Sequence, residues 1–277
     1  MSSTATGLVA LGEHDNPQVT LEVKGHKYHI SGDPAIDPEE SLISASTVSG
    51  YADKVNDGLL WWAAYAAIDH SSANGFKQLN EVAKTIGTET HENISRYIAT
   101  DGADRSDSWL FGIWYSKLME KMSVSDWVAT ELMVYHRELK YAGTVDAIGI
   151  VDDKVVLFDW KTTEALNRSG KKKSNNRQAH ATQLGGYILA LREMFKTHPI
   201  RHGDRVIRDI DEARVCYIYR DERDVKERFE EKIVDIDKAT KAFEVCLGLV
   251  SLVEQGDGLY KKPESGGQNA KGNRAKP

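Results

Sequence analysis

Apolar and polar residues change their period midway along the chain. Before residue 125 the apolar positions fall mainly at helical spacing, and helices are predicted over 58–70 (Leu59, Leu60, Trp62, Ala63 and Ala66 on one side), 76–86, 92–99 and 108–122. A weak alternation over 20–30 predicts a strand or hairpin, and 44–49 leads into the first helix. Beyond 125 come three short runs rich in Val, Ile, Phe and Tyr, at 127–135, 142–151 and 154–162, separated by turn residues. They predict three consecutive antiparallel strands. A polar, basic loop (167–176) precedes 177–195, where Leu184, Tyr187, Ile188 and Leu191 make the stripe of a helix packed on a sheet. Two further strands (213–219, 229–236) and a closing helix (238–253) complete the pattern. The order is that of one α/β domain, 19–255, with a mainly helical part (19–125), a sheet-bearing core (126–255), and polar tails at 1–18 and 256–277 that stay out of the core.

Composition narrows the class. With 277 residues, 40% hydrophobic and 28% charged, the chain is neither collagen-like nor disordered throughout. Cys216 and Cys246 have no Cys or His at ligand spacing, which argues against a structural zinc, an iron-sulfur cluster or a disulfide framework. No window approaches the roughly 18 apolar residues of a membrane helix, and residues 1–25 lack a secretory pattern, so a soluble cytoplasmic protein with no membrane partner is expected. The net charge is −6, but residues 161–205 hold ten Lys or Arg against three acids, +7, leaving −13 for the rest. Such asymmetry suits a soluble protein that holds a polyanion along one face.

The chemistry concentrates in Gly143-Thr-Val-Asp146 and Asp159-Trp-Lys161-Thr. If Asp152-Asp153 forms a two-residue turn, residues whose numbers sum to 305 oppose each other, and Asp146 and Asp159 are such a pair. Strand alternation puts Lys161 on the same face as Asp159. Two acids opposed in an otherwise apolar hairpin repel one another, and a divalent cation removes the objection. Mg²⁺, or Mn²⁺ in its place, would take the two carboxylates and the Trp160 carbonyl. Lys161 would orient water or stabilise charge developing on a phosphate. As plain hairpin charges the three residues would be expected between polar flanks. Their neighbours are Val145, Ile148, Leu157, Phe158 and Trp160.

This pattern, G-x-x-D, then D-W-K-T, a basic loop and Gln183-Leu-Gly-Gly-Tyr187, resembles the PD-(D/E)xK nuclease superfamily over roughly residues 131–191. It is most similar to the RecB-like exonuclease branch, which includes the mitochondrial genome maintenance exonuclease and bacteriophage recombination exonucleases. The resemblance implies a restriction-endonuclease-like core with a central mixed sheet flanked by helices. It makes Asp146 and Asp159 metal ligands, Lys161 the catalytic lysine, and Gln183 with Tyr187 a DNA contact or a brace for the site. It also offers Glu131 a place beside the metal. Relatives in that branch carry a histidine in a G-T-x-x-H-like motif on an upstream helix. The corresponding region here, residues 103–111, has none, and His70 and His91 are expected to be solvated helix-end residues.

Lys171, Lys172, Lys173 and Arg177 lie in the loop after the D-W-K strand and suit phosphate tracking. Trp61, Trp62, Trp109 and Trp114, at helical spacing amid Leu and Ile, are expected in the core rather than stacked on bases. The function expected is a Mg²⁺-dependent DNA exonuclease of phage-type recombination, repair or genome processing. No helicase-like element is present, so unwinding would fall to a helicase or single-strand annealing partner. A catalytically weak DNA- or protein-binding relative and a restriction-like endonuclease are the alternatives.

Overall fold

The computed structural model describes residues 6–8, 20–24, 27–34, 36–37, 39–52, 75–166, 178–221 and 227–254. The helix expected at 58–70, with Trp61, Trp62 and His70, lies outside them, as do Lys171, Lys172, Lys173, Arg177 and the C-terminal tail. Eleven strands and five α-helices are present among the described residues. Strands β1 (Thr6–Leu8), β2 (Thr20–Lys24), β3 (Lys27–Ser31) and β4 (Ser41–Ser44) come first, then α1 (Ala45–Ser49), α2 (Gly75–Ala99) and α3 (Trp109–Lys117). Strands β5 (Val124–His136), β6 (Tyr141–Val151) and β7 (Lys154–Thr163) form the meander, followed by α4 (Gln178–Thr197). Strands β8 (Ile200–His202), β9 (Arg205–Ile207), β10 (Glu212–Tyr219) and β11 (Phe229–Ile233) lead to α5 (Ile236–Glu254).

Nine strands make one mixed sheet in the order β1-β2-β3-β4-β6-β7-β10-β11, with β5 paired to β6. The β4–β6 and β7–β10 pairs are parallel and the others antiparallel. A parallel partner cannot follow β7 through a tight turn, so the chain crosses over by α4, packed on one face of the sheet. That face buries Val145, Leu157, Val215, Leu184, Ile188 and Phe243 between the strands and α1, α4 and α5. The opposite face buries Val156, Phe158, Trp160 and Ile218 beneath Ile94 of α2 and Trp114 of α3. The result is an α/β core of the restriction-endonuclease-like type.

Several elements differ from the sequence pattern. The helices expected at 76–86 and 92–99 are one, because Gly87 and Thr88 between them break no hydrogen-bonding requirement and the apolar stripe runs through. The helix expected over 108–122 ends at Lys117 and passes into a π-turn, Leu118–Met122, closed by Ser123 at φ +50. Four short strands precede the helices; β2 and β3 form the hairpin expected over 20–30, whereas β1 and β4 fall outside the expected elements. One of them, β1, falls in the stretch read as a tail and pairs with β2 at the sheet edge. Asp152 and Asp153, at φ +46 and +64, make the turn that sets the β6–β7 register.

Candidate active site

The middle of β6 is where the sheet forks. Strand β5 runs along one edge of β6 over its whole length. The other edge is shared: β4 pairs only with Tyr141 and Ala142, and β7 pairs from Val151 down to Ala147, opposite Phe158. Residues 143–146 face the gap between β4 and β7. The first pair to drop out of the β6–β7 ladder is Asp146 opposite Asp159. There the Trp160 N–H donates to the Asp146 Oδ2 at 2.7 Å instead of to a backbone carbonyl.

The β5–β6 ladder has a matching break. Thr130 pairs with Ala147 and Leu132 with Val145, but Glu131 and Asp146, between them, do not pair. Glu131 holds φ +49, a left-handed conformation that costs a side-chain-bearing residue about 1–3 kcal/mol. Three acids from three adjacent strands therefore fall in one row, Glu131, Asp146 and Asp159. Left without a counterion, such a row is a repulsive arrangement.

Helix α2 crosses above it. His91 sits mid-helix, a quarter exposed, with Nδ1 3.4 Å from the Asp146 Oδ1. Ligand atoms of His91, Glu131 and Asp146 lie within 4.8 Å of one another. From the other side, the Lys161 Nζ donates to the Asp159 Oδ1 at 2.7 Å. The Asp159 Oδ2 is buried and has no hydrogen-bond partner. An orphaned carboxylate oxygen is costly to bury, and a bound cation would satisfy it.

The charge states follow from these contacts. Burial raises the Asp159 carboxyl to about 6, opposed by Lys161 and helped by the charge on Asp146. Burial also pushes Asp146 upward, but His91, Lys161 and the Trp160 amide outweigh it and the pKa is lowered. Desolvation and the Asp146 charge take Glu131 up to about 7. Burial disfavours the His91 imidazolium, yet Asp146 raises it overall, and Asp159 and Asp146 likewise keep Lys161 protonated against its burial. His91 and Lys161 are thus held as cations beside Asp146 and Asp159, while burial raises Glu131 and Asp159 above the usual carboxylate range, and a bound cation would favour their ionised forms.

Behind the row stands Tyr187 of α4. It is buried, and Gln183 donates from Nε2 to its hydroxyl. Gly143 explains how it fits, since a Cβ there would lie 2.5 Å from the Tyr187 ring. Burial, with the charges of Asp146 and Asp159 nearby, raises the Tyr187 phenol well above its ordinary value. Tyr187 therefore packs against the site as a brace; its ring is not available to a strand of DNA.

The family model for the PD-(D/E)XK nuclease superfamily matches residues 69–257, more than half of the chain, and spans the forked strands, α2 and α4. The chain belongs to the PD-(D/E)XK nuclease superfamily. Membership indicates a nuclease acting on nucleic acid with divalent metal, and the clustered donor atoms of His91, Glu131 and Asp146 could hold such an ion. No curated protein matches the sequence. The solved crystal structure of SSO0001 is similar at 14% identity and a TM-score of 0.35, over 77% of this chain and 79% of that one, a likeness too slight to argue from.

Within this nuclease fold the structure brings together Glu131, Asp146, Asp159, Trp160 and Lys161, with Gln183 and Tyr187 behind them. The Trp160 ring points away into the core, stacked on Phe158 at 5.3 Å. Three expectations need correcting. His91 is not a solvated helix-end residue, because α2 continues eight residues beyond it to Ala99 and its ring faces Asp146. The G-T-x-x-H sequence is also present, as Gly87-Thr-Glu-Thr-His91. The motif lies on α2, with α3 between it and the strands, whereas residues 103–111 are the connection to α3 and the start of that helix. Gly87 lets α2 approach β7, where a Cβ would lie 3.3 Å from the Thr162 Oγ1. The tryptophans divide: Trp114 is fully buried, whereas Trp109 is 51% exposed. Among the described residues no helix is long and apolar enough to cross a membrane.

Proposed function

We propose that the chain is a metal-dependent DNA exonuclease of the RecB-like branch, serving recombination, repair or genome processing of the phage type. The observation that carries this is the row Glu131–Asp146–Asp159, capped by His91 and flanked by Lys161, with a buried carboxylate oxygen left over for a cation. The G-T-x-x-H sequence on α2 supports the branch. Asp146, Asp159, His91, Glu131 and the Trp160 carbonyl would hold Mg²⁺ or Mn²⁺. When bound, the ion supplies an acidified water and polarisation of the scissile phosphate.

The chain's own groups do the rest. Lys161, held protonated beside Asp159, presents its remaining N–H donors toward the attacking water or a phosphate oxygen. Asp146 accepts from the Trp160 amide and faces His91, which fixes its two oxygens in separate directions. Tyr187 fills the floor of the fork, excludes water from behind the acids and takes its orientation from Gln183. Lys171, Lys172, Lys173 and Arg177, immediately beyond β7 in sequence, would track the backbone. A helicase or annealing protein would supply unpaired substrate.

End-labelled linear DNA, with and without Mg²⁺ and resolved by length over time, tests this reading against a circular single strand. Progressive shortening of the linear substrate only, dependent on the ion, is expected. Cleavage of the circle would make the protein an endonuclease, and no cleavage with any divalent ion would leave a binding module.

A further inference from the structure

Lys161 is the donor on the β7 side of the fork. On the β4 side stands a tyrosine from outside the strands that carry the acids. Tyr28 lies on β3, opposite Leu42 of β4, and β4 separates it from β6. Its side chain nevertheless carries the hydroxyl past β4, to 3.1 Å from the Thr144 Oγ1 on β6. The ring belongs to a buried cluster with Leu42, Met133 and Ala142. A phenylalanine would fill that space as well, so the hydroxyl at the tip needs a reason of its own.

Its position supplies one. Thr144 is two residues before Asp146 on β6, and its β5 partner, Met133, is two residues after Glu131. Strand alternation puts each of these pairs on one face of the sheet. Gly143, next to Thr144, faces Tyr187 on the other side. The hydroxyl pair is therefore set roughly 7 Å along the strands from the two acids, two residue rises away. That is the space a phosphate fills when one of its oxygens joins an ion held by Asp146.

The count of protons points the same way. Two hydroxyls hold two protons, and the bond between them uses one. Neither makes another hydrogen bond among the described residues, so one O–H donor is left over. Burial, with the charges of Glu131 and Asp146 nearby, raises the Tyr28 phenol, which keeps its proton. A neutral, pre-oriented O–H at the edge of a metal site is worth most when negative charge builds on a nearby oxygen.

We propose that the Tyr28–Thr144 hydroxyl pair is a further donor of the nuclease centre, turning its spare O–H to a non-bridging oxygen of the scissile phosphate on the side away from Lys161. The inference rests on the nuclease reading above and adds to it a contact from the amino-terminal strands. Because the bond strengthens as charge develops on the phosphate, its loss falls on kcat rather than on KM.

The test follows cleavage of end-labelled DNA by the full chain at saturating Mn²⁺, with Mn²⁺ affinity measured by titration calorimetry. Tyr28→Phe is expected to lower kcat about 10–100-fold, to leave KM and Mn²⁺ affinity within about two-fold of the parent, and to keep native circular dichroism. Adding Thr144→Val should cost little more, because the two hydroxyls act as one donor. Tyr135 is the structural control, a phenol of the same cluster whose hydroxyl donates to Asp33 at 2.9 Å. Tyr135→Phe should lower stability to urea and leave kcat at the parent level. Parent kcat in Tyr28→Phe, or an equal loss of kcat in Tyr135→Phe, overturns the inference. So does a loss of rate in Tyr28→Phe that more Mn²⁺ restores, since Tyr28 would then only support a ligand. In each of these cases a parent that cleaves keeps the nuclease reading. A parent that cleaves no DNA with any divalent ion removes both.

Discussion

Two sets of charges occupy adjacent strands of the same sheet and are built on opposite terms. On β10, Arg214 donates from Nε to Glu212 at 2.5 Å and from Nη1 to Glu231 at 2.9 Å, and its guanidinium lies 5.8 Å from the Phe158 ring centre. The two acids outweigh burial and raise the Arg214 pKa, and Glu212 is lowered in return. One residue along, opposite Val215, stands Asp159. It has an oxygen without a partner and a second carboxylate across the ladder. Arg214 and its partners complete each other, so that cluster is a structural device. The row on β5–β7 is complete only with something the chain does not supply.

The largest effects should therefore be functional at one cluster and structural at the other. Asp146→Ala, Asp159→Ala and Lys161→Ala are each expected to lower metal-dependent cleavage at least about 10²–10³-fold, with native circular dichroism. Cleavage retained by all three purified variants would mean that the row is not the centre. Arg214→Ala removes the cation that Glu212 and Glu231 share and leaves Glu212 with Lys154 alone. Urea unfolding should show a loss of about 3 kcal/mol, while cleavage measured well below the melting temperature stays at the parent level. Equal stability would show that Lys154, 3.3 Å from Glu212, suffices to hold that cluster.

A smaller effect distinguishes the role of His91. As a ligand or as the orienting partner of Asp146, it should contribute about 10–100-fold to Mn²⁺ affinity by titration calorimetry, and His91→Ala should lose that much. His91→Gln, which keeps a polar group of similar reach, is expected to fall between. Unchanged affinity in both variants would return His91 to a structural role.

Legibility in the sequence followed the range over which each feature is determined. The Asp146–Asp159 opposition is local: a two-residue turn with both residues at positive φ fixes the register for every residue behind it. Glu131 is harder, because β5 carries register shifts between Val124 and Asp126 and between Trp127 and Ala129, and bulges cannot be counted from an alternation pattern. His91 meets Asp146 across more than fifty residues, and the short sequence that marks it lies one helix further from the strands than residues 103–111. Trp109 is hidden in the sequence for another reason. Helix α3 reads Trp-Leu-Phe-Gly-Ile-Trp-Tyr with scarcely a polar side, so periodicity could not say which of its residues faces out. The β2–β3 hairpin shows in the alternation over 20–30, whereas β1 and β4, three and four residues long and reading Thr-Gly-Leu and Ser-Leu-Ile-Ser, are too short for an alternation to announce them.

The finest contrast between the clusters lies in their response to pH. Glu131 rises to about 7 and Asp159 to about 6, both above the values near 4 that carboxyls have in an unfolded chain. Between pH 4 and 7 the folded protein therefore binds more protons at these sites than the unfolded one, and stability must fall as pH rises through that window. At Glu212 the folded value is lowered, so that cluster gains stability as pH rises past its folded value and keeps it above the unfolded one. In EDTA, Glu131→Gln should accordingly melt slightly higher than the parent at pH 7.5, the gain kept small by the solvent exposure of Glu131, and close to it at pH 4.5. Saturating Mn²⁺ should reverse the order at pH 7.5, because the ion stabilises the ionised carboxylate that the empty row disfavours. Parallel melting curves for the two proteins, with and without the ion, would mean that Glu131 stands apart from the metal and that its left-handed backbone serves only the bend of β5.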